Sequence, residues 1–471
     1  MKSDEESDVS YESGIDASDS KEGLNVNNVM LDETVSPAAS EILANDFIEG
    51  FNDELFLNKL SQREFTVFLL SEVGKPIYAS CGHEEELCSL TALIQTFVMV
   101  AESWEDSLIN MCSGNLYIAF SHRGPLIICI IVRDNCLLDT HIDLVYKQVL
   151  SVLCRVQLLS IFDLKGPSFD LRILLRGMDR LISEILYYYR SDVTFFQKSV
   201  RVFPMPLAER EFIANTISNC VNNTKPLNFL IDPFVPFLCT SLSSSSLSVG
   251  EYPYLIVLKL YDKLLKRIFP VTNVILGIVI VHRQLVAMVR MNGVQLHPFD
   301  LHIIINLVEC NPSIKNAHNW IPICLPHFND AGFVHAYITY FAEESPACLI
   351  LISLERNAFE PLRMAVDSIL TKLKASKSYT VLESLFTNPL DFEIDTALFP
   401  DLWHFILKKN SVSQVCSSLS HVPYTSKEER RRLQKCYRKI ADFCSRANLQ
   451  EIFIKSPENC IYVNVCLQSL H

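Results

Sequence analysis

The chain has 471 residues, 54 acidic against 41 basic, a formal net charge of −13 and 49% hydrophobic residues, enough chain for several buried cores at about 100–200 residues per domain. Residues 1–60 hold 15 Asp/Glu against 3 Lys/Arg, so the remaining body is nearly neutral and offers no broad basic field for nucleic acid. Glycine is scarce at 13, and neither G-x-x-x-x-G-K-[ST] nor G-x-G-x-x-G occurs, which removes the usual backbone cradles for nucleotide phosphates.

The opening MKSDEESDVS has acids where a signal peptide needs a basic start and an apolar core, so a cytoplasmic protein is expected. Residues 1–58 are rich in Ser, Asp, Glu and Asn and read as a disordered acidic tail, with Ser3, Ser7 and Ser18 beside acids that suit acid-directed kinases. From Phe65, FTVFLLSEV, Gly74-Lys75 and PIYAS predict a hairpin. Leu87, Leu90, Ile94, Phe97 and Ala101 then predict one apolar stripe on a helix running to about Glu102. Strands follow near Leu108–Cys112, Leu116–Ser121 and Leu126–Val132, and a second helix over about Asp139 to Ser160 with Val145, Val149, Val152 and Val156 on one face.

After a linker that includes the serine tract Ser241–Ser248, the same β-β-α-β-β-β-α order returns. Its strands are Val274–Val281, Gln284–Arg290, Trp320–Leu325, Gly332–Phe341 and Ala347–Leu354, with a helix led by Pro298 and another from about Phe359 to Ala375. A third unit starts near Leu402: WHFIL and Gln414–Leu419, a helix capped by Thr425 or Ser426 with Glu428 or Glu429 reaching back, then Leu449–Ile454 and Ile461–Leu467. The expected organisation is α/β (α+β), with an acidic tail at 1–58, a first unit at 62–190, a linker with helices at 191–273, a second unit at 274–376 and a truncated third at 397–471. The longest apolar runs, Leu126–Val132 and Val274–Val281, are far short of the roughly 18 residues of a membrane span. The 16 cysteines sit largely inside apolar runs without any C-x-x-C pair, and read as buried thiols rather than zinc ligands.

This order is similar to the longin fold, each module an antiparallel five-stranded sheet covered by helices. FLLSEVGKPIYAS at Phe68–Ser80, HRGPLIICIIVR at His122–Arg133, LHPFDLHIIINLV at Leu296–Val308, WIPICLPHFNDAGFVHAYITY at Trp320–Tyr340 and PYTSKEE at Pro423–Glu429 resemble the Mon-type vacuolar fusion family, also called SAND. The resemblance implies one subunit of a heterodimeric guanine-nucleotide exchange factor, paired with a Ccz-type longin subunit. It acts on the late-endosomal Rab GTPase and is recruited from the cytoplasm to phosphoinositide-containing endosome and lysosome or vacuole membranes. It also implies displacement of the early-endosomal Rabex-type exchange factor, no cofactor and no covalent chemistry, and a third module that continues past the position of His471. The alternative is a longin-type trafficking adaptor or tether without exchange activity.

For partner and Rab contact the resemblance directs attention to the first unit: Gly74, Lys75 and Pro76 at the hairpin tip, Glu84, Glu85 and Glu86 at the helix start, and Trp104 after the helix. Each also has a purely structural explanation, in turn chemistry, helix N-terminal charge or core capping. Trp320, which with Pro322 and Pro326 brackets an apolar strand, is a further contact candidate. Lys427, Arg430, Arg431, Arg432, Lys435, Arg438 and Lys439 line a basic helix suited to an anionic membrane. His297, Asp300 and His302 are metal-ligand types close together, but the two histidines cannot share one helix face unless one lies before the helix, so cap and surface roles are expected. No Ser/His/Asp or Cys/His catalytic set can be assigned.

Overall fold

A computed structural model describes residues 60–221, 228–229 and 274–464, apart from short breaks, chiefly at 134–137, within 389–398, and at 410–411, 419–421 and 457–459. The predicted acidic tail and Ser241–Ser248 lie outside the described residues.

The first unit comprises β1 (Phe65–Ser71), β2 (Pro76–Ala79), α1 (Glu84–Ser103), β3 (Asn110–Ser113), β4 (Leu116–Arg123), β5 (Leu126–Val132) and α2 (Leu138–Val152). The strands form one antiparallel sheet in the order β2-β1-β5-β4-β3. The run LIICIIV is apolar throughout because β5 is the central strand, buried along its whole length between helices on both faces. One face packs Phe68, Leu70, Phe120, Ile127 and Cys129 under Leu87, Ile94 and Val98 of α1. Leu144, Val145 and Val149 of α2 are also buried. The buried stripe of α1 is thus Leu87, Thr91, Ile94 and Val98, and Phe97, expected inside, faces out. The predicted long second helix breaks at Leu153–Cys154 into α2 and α3 (Arg155–Lys165), so Val156 is turned to the surface. Among the described residues no single helix is long and apolar enough to cross a membrane; α2 and α3 reach that length only together, bent by 76°.

Between the first two units lie α4 (Met178–Ser191), α5 (Val193–Phe196), β6 (Val200–Arg201), α6 (Leu207–Val221) and the short β7 (Asn228–Phe229). The stretch expected as linker is therefore partly core. Ile213, Ile217 and Val221 of α6 belong to the second hydrophobic cluster, and a Cβ on Gly277 would come within 2.8 Å of Ile217 Cγ2, so glycine at that strand position lets the helix approach.

The second unit repeats the first: β8 (Val274–Val281), β9 (Gln284–Arg290), α7 (Pro298–Glu309), β10 (Asn319–Leu325), β11 (Asn329–Tyr340), β12 (Ala347–Ser353), then α8 (Phe359–Lys374) and α9 (Tyr379–Thr387). Its sheet runs β10-β11-β12-β8-β9, the same order as the first, with β7 added outside β9. α7 is buried nearly all round, because α4 and α2 of the first unit pack against it.

The third unit has β13 (Ile406–Lys409), β14 (Gln414–Ser417), α10 (Lys427–Ala447), β15 (Glu451–Lys455) and β16 (Cys460–Asn464). Ser426 and Glu429 form the predicted capping box, the Glu429 N–H donating to Ser426 Oγ and the Ser426 N–H to Glu429 Oε2, both at 3.1 Å. Among the described residues β15 and β16 pair only with each other, while β14 pairs in parallel with β6. The segment around β6 is shared: Val202 N–H donates to Val415 O at 3.0 Å, and Phe203 N–H to Leu285 O of β9 at 2.9 Å.

Candidate functional site

α1 is apolar on two faces. Opposite its buried stripe, Leu93, Phe97, Val100 and Trp104 recur at steps of four and three and are exposed, Phe97 at 38% and Trp104 at 76%, with Met99 and Ile109 exposed nearby. These exposed apolar side chains form one strip along the helix rather than scattered surface residues. The second unit supplies the internal comparison. Its equivalent helix, α7, is covered by α4 and α2, whereas among the described residues no helix covers the outer face of α1. The C-terminal end of α1 is tied to β4 by Glu102 Oε1 and His122 Nδ1 at 2.7 Å. Beyond it β3 forms one edge of the sheet.

The hairpin tip lies against the flank of the same helix. Gly74 has φ +79°, a conformation that favours glycine, and a Cβ there would displace the mobile end of the Gln95 side chain of α1. Gln95 Nε2 donates to Glu72 O at 3.2 Å and Lys75 N–H to Ser71 Oγ at 3.2 Å. Lys75 is exposed and Pro76 opens the edge strand β2. Glu84, Glu85 and Glu86 form the first turn of α1. Gly74, Lys75, Pro76, the three glutamates and Trp104 therefore gather on or beside one helix. Sequence periodicity put Phe97 in the buried stripe and overlooked Val100 and Leu93; their signal was a helix with too many apolar residues for one stripe.

Trp320 is elsewhere, on edge strand β10. It is half-buried against the second core, its Nε1–H donates to Arg356 O at 3.1 Å and its ring stacks on His335 at 5.4 Å.

The basic helix α10 seats Leu433, Cys436 and Tyr437 half-buried and Ile440 buried, packing on α4 and α5. His404 Nδ1 and Tyr437 OH stand 2.7 Å apart, and Gln434 donates to Ser191 O. Lys427, Arg430, Arg431, Arg432, Lys435 and Lys439 are exposed and Arg438 half-buried. Arg432 is paired with Glu428 at 2.7 Å. Exposed Phe443 lies near the end of this helix.

The histidines singled out by sequence are structural. His297 caps α7, its Nδ1 accepting from Phe299 N–H at 3.2 Å. His302, expected at the surface, is buried: it bonds Ser199 O at 2.8 Å, stacks on Phe195 at 3.8 Å, and burial pushes its imidazole down. It sinks because α7 is packed on every side. The Asp300 carboxylate is fully buried and accepts from the His327 and Phe328 N–H groups at 3.2 and 2.9 Å. Lys147 of α2 donates to His327 Nε2 at 2.7 Å, joining the first two units. Among the described residues no group of three His, Cys, Asp or Glu could hold a metal.

His297 is pushed down from 6.5 to about 4, first by burial and then by His327 stacked on it at 3.7 Å. The unfolded chain therefore binds this proton more readily, so its contribution is present above pH 6.5 and is lost as pH falls towards 4. His297→Asn, which keeps a capping acceptor, is expected to flatten the fall in melting temperature across that window. Identical pH profiles for variant and parent would refute this.

Comparison with known proteins matches residues 65–185 to the first longin domain of FUZ, MON1 and HPS1, 272–371 to the second and 401–469 to the third. The chain is 28% identical over 396 residues to vacuolar fusion protein MON1 homolog A of Homo sapiens, covering 83% of this chain and 53% of that protein. It is 28% identical over 378 residues to Protein SAND of Takifugu rubripes, covering 79% and 63%. It is 25% identical over 394 residues to vacuolar fusion protein MON1 of Cryptococcus neoformans, covering 82% and 55%. The chain thus spans between about half and three-fifths of the length of these relatives.

Proposed function

We propose that this chain, which belongs to the Mon-type family of three-longin proteins, is one subunit of a heterodimeric guanine-nucleotide exchange factor in endosome maturation and fusion with the lysosome or vacuole. The longin domains and the vacuolar-fusion names of its relatives support a trafficking role. The observation that carries the finer reading is the bare apolar face of α1, where a Ccz-type longin would supply the cover that α4 and α2 give α7. A platform of two such modules would bind the late-endosomal Rab.

The mechanism needs no covalent step. A Rab holds its nucleotide through the phosphates, Mg²⁺ and the switch segments they order, so a surface that binds the switches open lowers nucleotide affinity by linkage. The exposure of Lys75 at the hairpin tip and of Trp104 supports a role for them at the edge of such a platform. The exposed basic side chains of α10 favour an anionic, phosphoinositide-containing membrane, each contributing about 1 kcal/mol near the surface. Displacement of a Rabex-type factor would follow recruitment there.

The test is release of a fluorescent GDP analogue from a panel of Rabs, by this chain alone and with a co-expressed Ccz-type partner. Acceleration confined to the late-endosomal Rab and dependent on the partner is expected. A folded heterodimer that accelerates no Rab would move the function to adaptor or tether.

A further inference from the structure

Several of the described cysteines carry inert sulfurs. Cys129, Cys324 and Cys348 lie in buried strands, and burial pushes each thiol up. Cys310 is raised to about 12 and Cys416 to about 11, again chiefly by burial. Such thiols stay protonated and do not attack oxidants.

Cys220 differs in its neighbours. It lies near the end of α6, 7% exposed, and faces two residues one turn apart on α8. Lys372 Nζ donates to its Sγ at 3.3 Å, and Ser368 Oγ stands 3.8 Å away. A sulfenic acid condenses with a backbone nitrogen to a sulfenamide, and an amine nitrogen already in contact with the sulfur is placed for the same condensation before further oxidation. No disulfide competes: among the described residues all cysteines are free.

We propose that Cys220 and Lys372 form a peroxide-sensitive, reversible S–N bridge that staples α6 to α8 across the second longin unit. The thiol loses its proton to solvent, and the thiolate attacks hydrogen peroxide. An S–O bond forms, the O–O bond breaks, and the departing hydroxide takes a proton from the Lys372 ammonium to leave as water. The neutral amine then attacks the sulfenic sulfur. An S–N bond forms, the S–O bond breaks, and the second hydroxide leaves as water with a proton from nitrogen. Sulfur is oxidised and peroxide reduced; one thiol, one ammonium and one peroxide give one sulfenamide, two waters and a proton. The bridge joins residues 152 apart in sequence, so closure fixes the end of α6 against α8.

The full chain is treated with hydrogen peroxide, digested without reductant and analysed by mass spectrometry. The expected product is a linked pair of peptides containing Cys220 and Lys372, about 2 Da lighter than their sum and separated by dithiothreitol. It is absent from Cys220→Ser. Lys372→Arg keeps the positive charge but lacks the amine, and there Cys220 reaches only the sulfenic and sulfinic states. Three results overturn the proposal: Cys220 oxidised without a linked peptide, Cys220 unreactive while exposed Cys88, Cys112 and Cys460 are oxidised, or linkage spread over other lysines.

Discussion

Replacing Phe97 and Trp104 together by serine is expected to abolish co-purification with a Ccz-type longin while leaving the isolated chain as stable as before. Phe97 is exposed on the outer face of α1 and Trp104 just past its C-terminal end, and neither belongs to the core cluster that holds Leu87, Ile94 and Val98. Large aromatic anchors at the centre of an interface cost about 2 kcal/mol or more each when truncated. The pair should therefore weaken the heterodimer by roughly a thousandfold. Burial of apolar area drives the loss, so the effect should persist at high salt, unlike an effect at Lys75. Undiminished co-purification of the double variant, with its urea midpoint unchanged, would remove the α1 face from the interface. Exchange activity would then need another surface.

The second large effect is on stability. Asp300→Ala is expected to destabilise the chain by about 3 kcal/mol, because it strands two backbone N–H donors that are satisfied now by a buried carboxylate. The carboxylate sits in the first turn of α7, where the helix dipole favours negative charge. It fixes the turn between β10 and β11, and His327 of that turn also receives the hydrogen bond from Lys147. Loss of Asp300 should therefore loosen the contact between the first two units as well. Urea unfolding measures the stability change, and amide exchange at Phe328 reports the turn directly. Asp300→Asn retains one acceptor and should cost about half as much. A change below about 0.5 kcal/mol for the alanine variant, typical of surface substitutions, would contradict the assignment.

The two complete sheets were legible because their central strands are continuous apolar runs bounded by turn clusters, as in Leu126–Val132 and Ala347–Ser353. The Ser426–Glu429 box announced the start of α10 for an equally local reason. Legibility failed where the cause is distant. Nothing in Leu153–Cys154 announces the break between α2 and α3, which lacks both glycine and proline; α3 turns instead to pack on β11. Periodicity placed Phe97 inside because α1 has enough apolar residues for two stripes, and only the sheet decides which stripe it buries. His302 was readable in principle: PFDLHIIINLVE has apolar residues around most of its circumference, the mark of a helix with little solvent face. The Gly74–Gln95 contact and the pairing of Val200–Arg201 with Gln414–Val415 join residues far apart in sequence and leave no local trace.

The short strand β6 bears on how the chain is made. Arg201 bonds Ser417 at 2.6 Å across 216 positions, so β6 leaves the ribosome long before its partner β14 exists. At about 5–20 residues per second of synthesis, its outer hydrogen-bonding edge waits on the order of tens of seconds. During that interval the edge is open to any extended segment of a neighbouring nascent chain. Arrival of β14 closes it, making assembly of the third unit the late, high-contact-order step of biogenesis. A chaperone requirement should therefore fall on nascent chains that have released β6 and not yet β14.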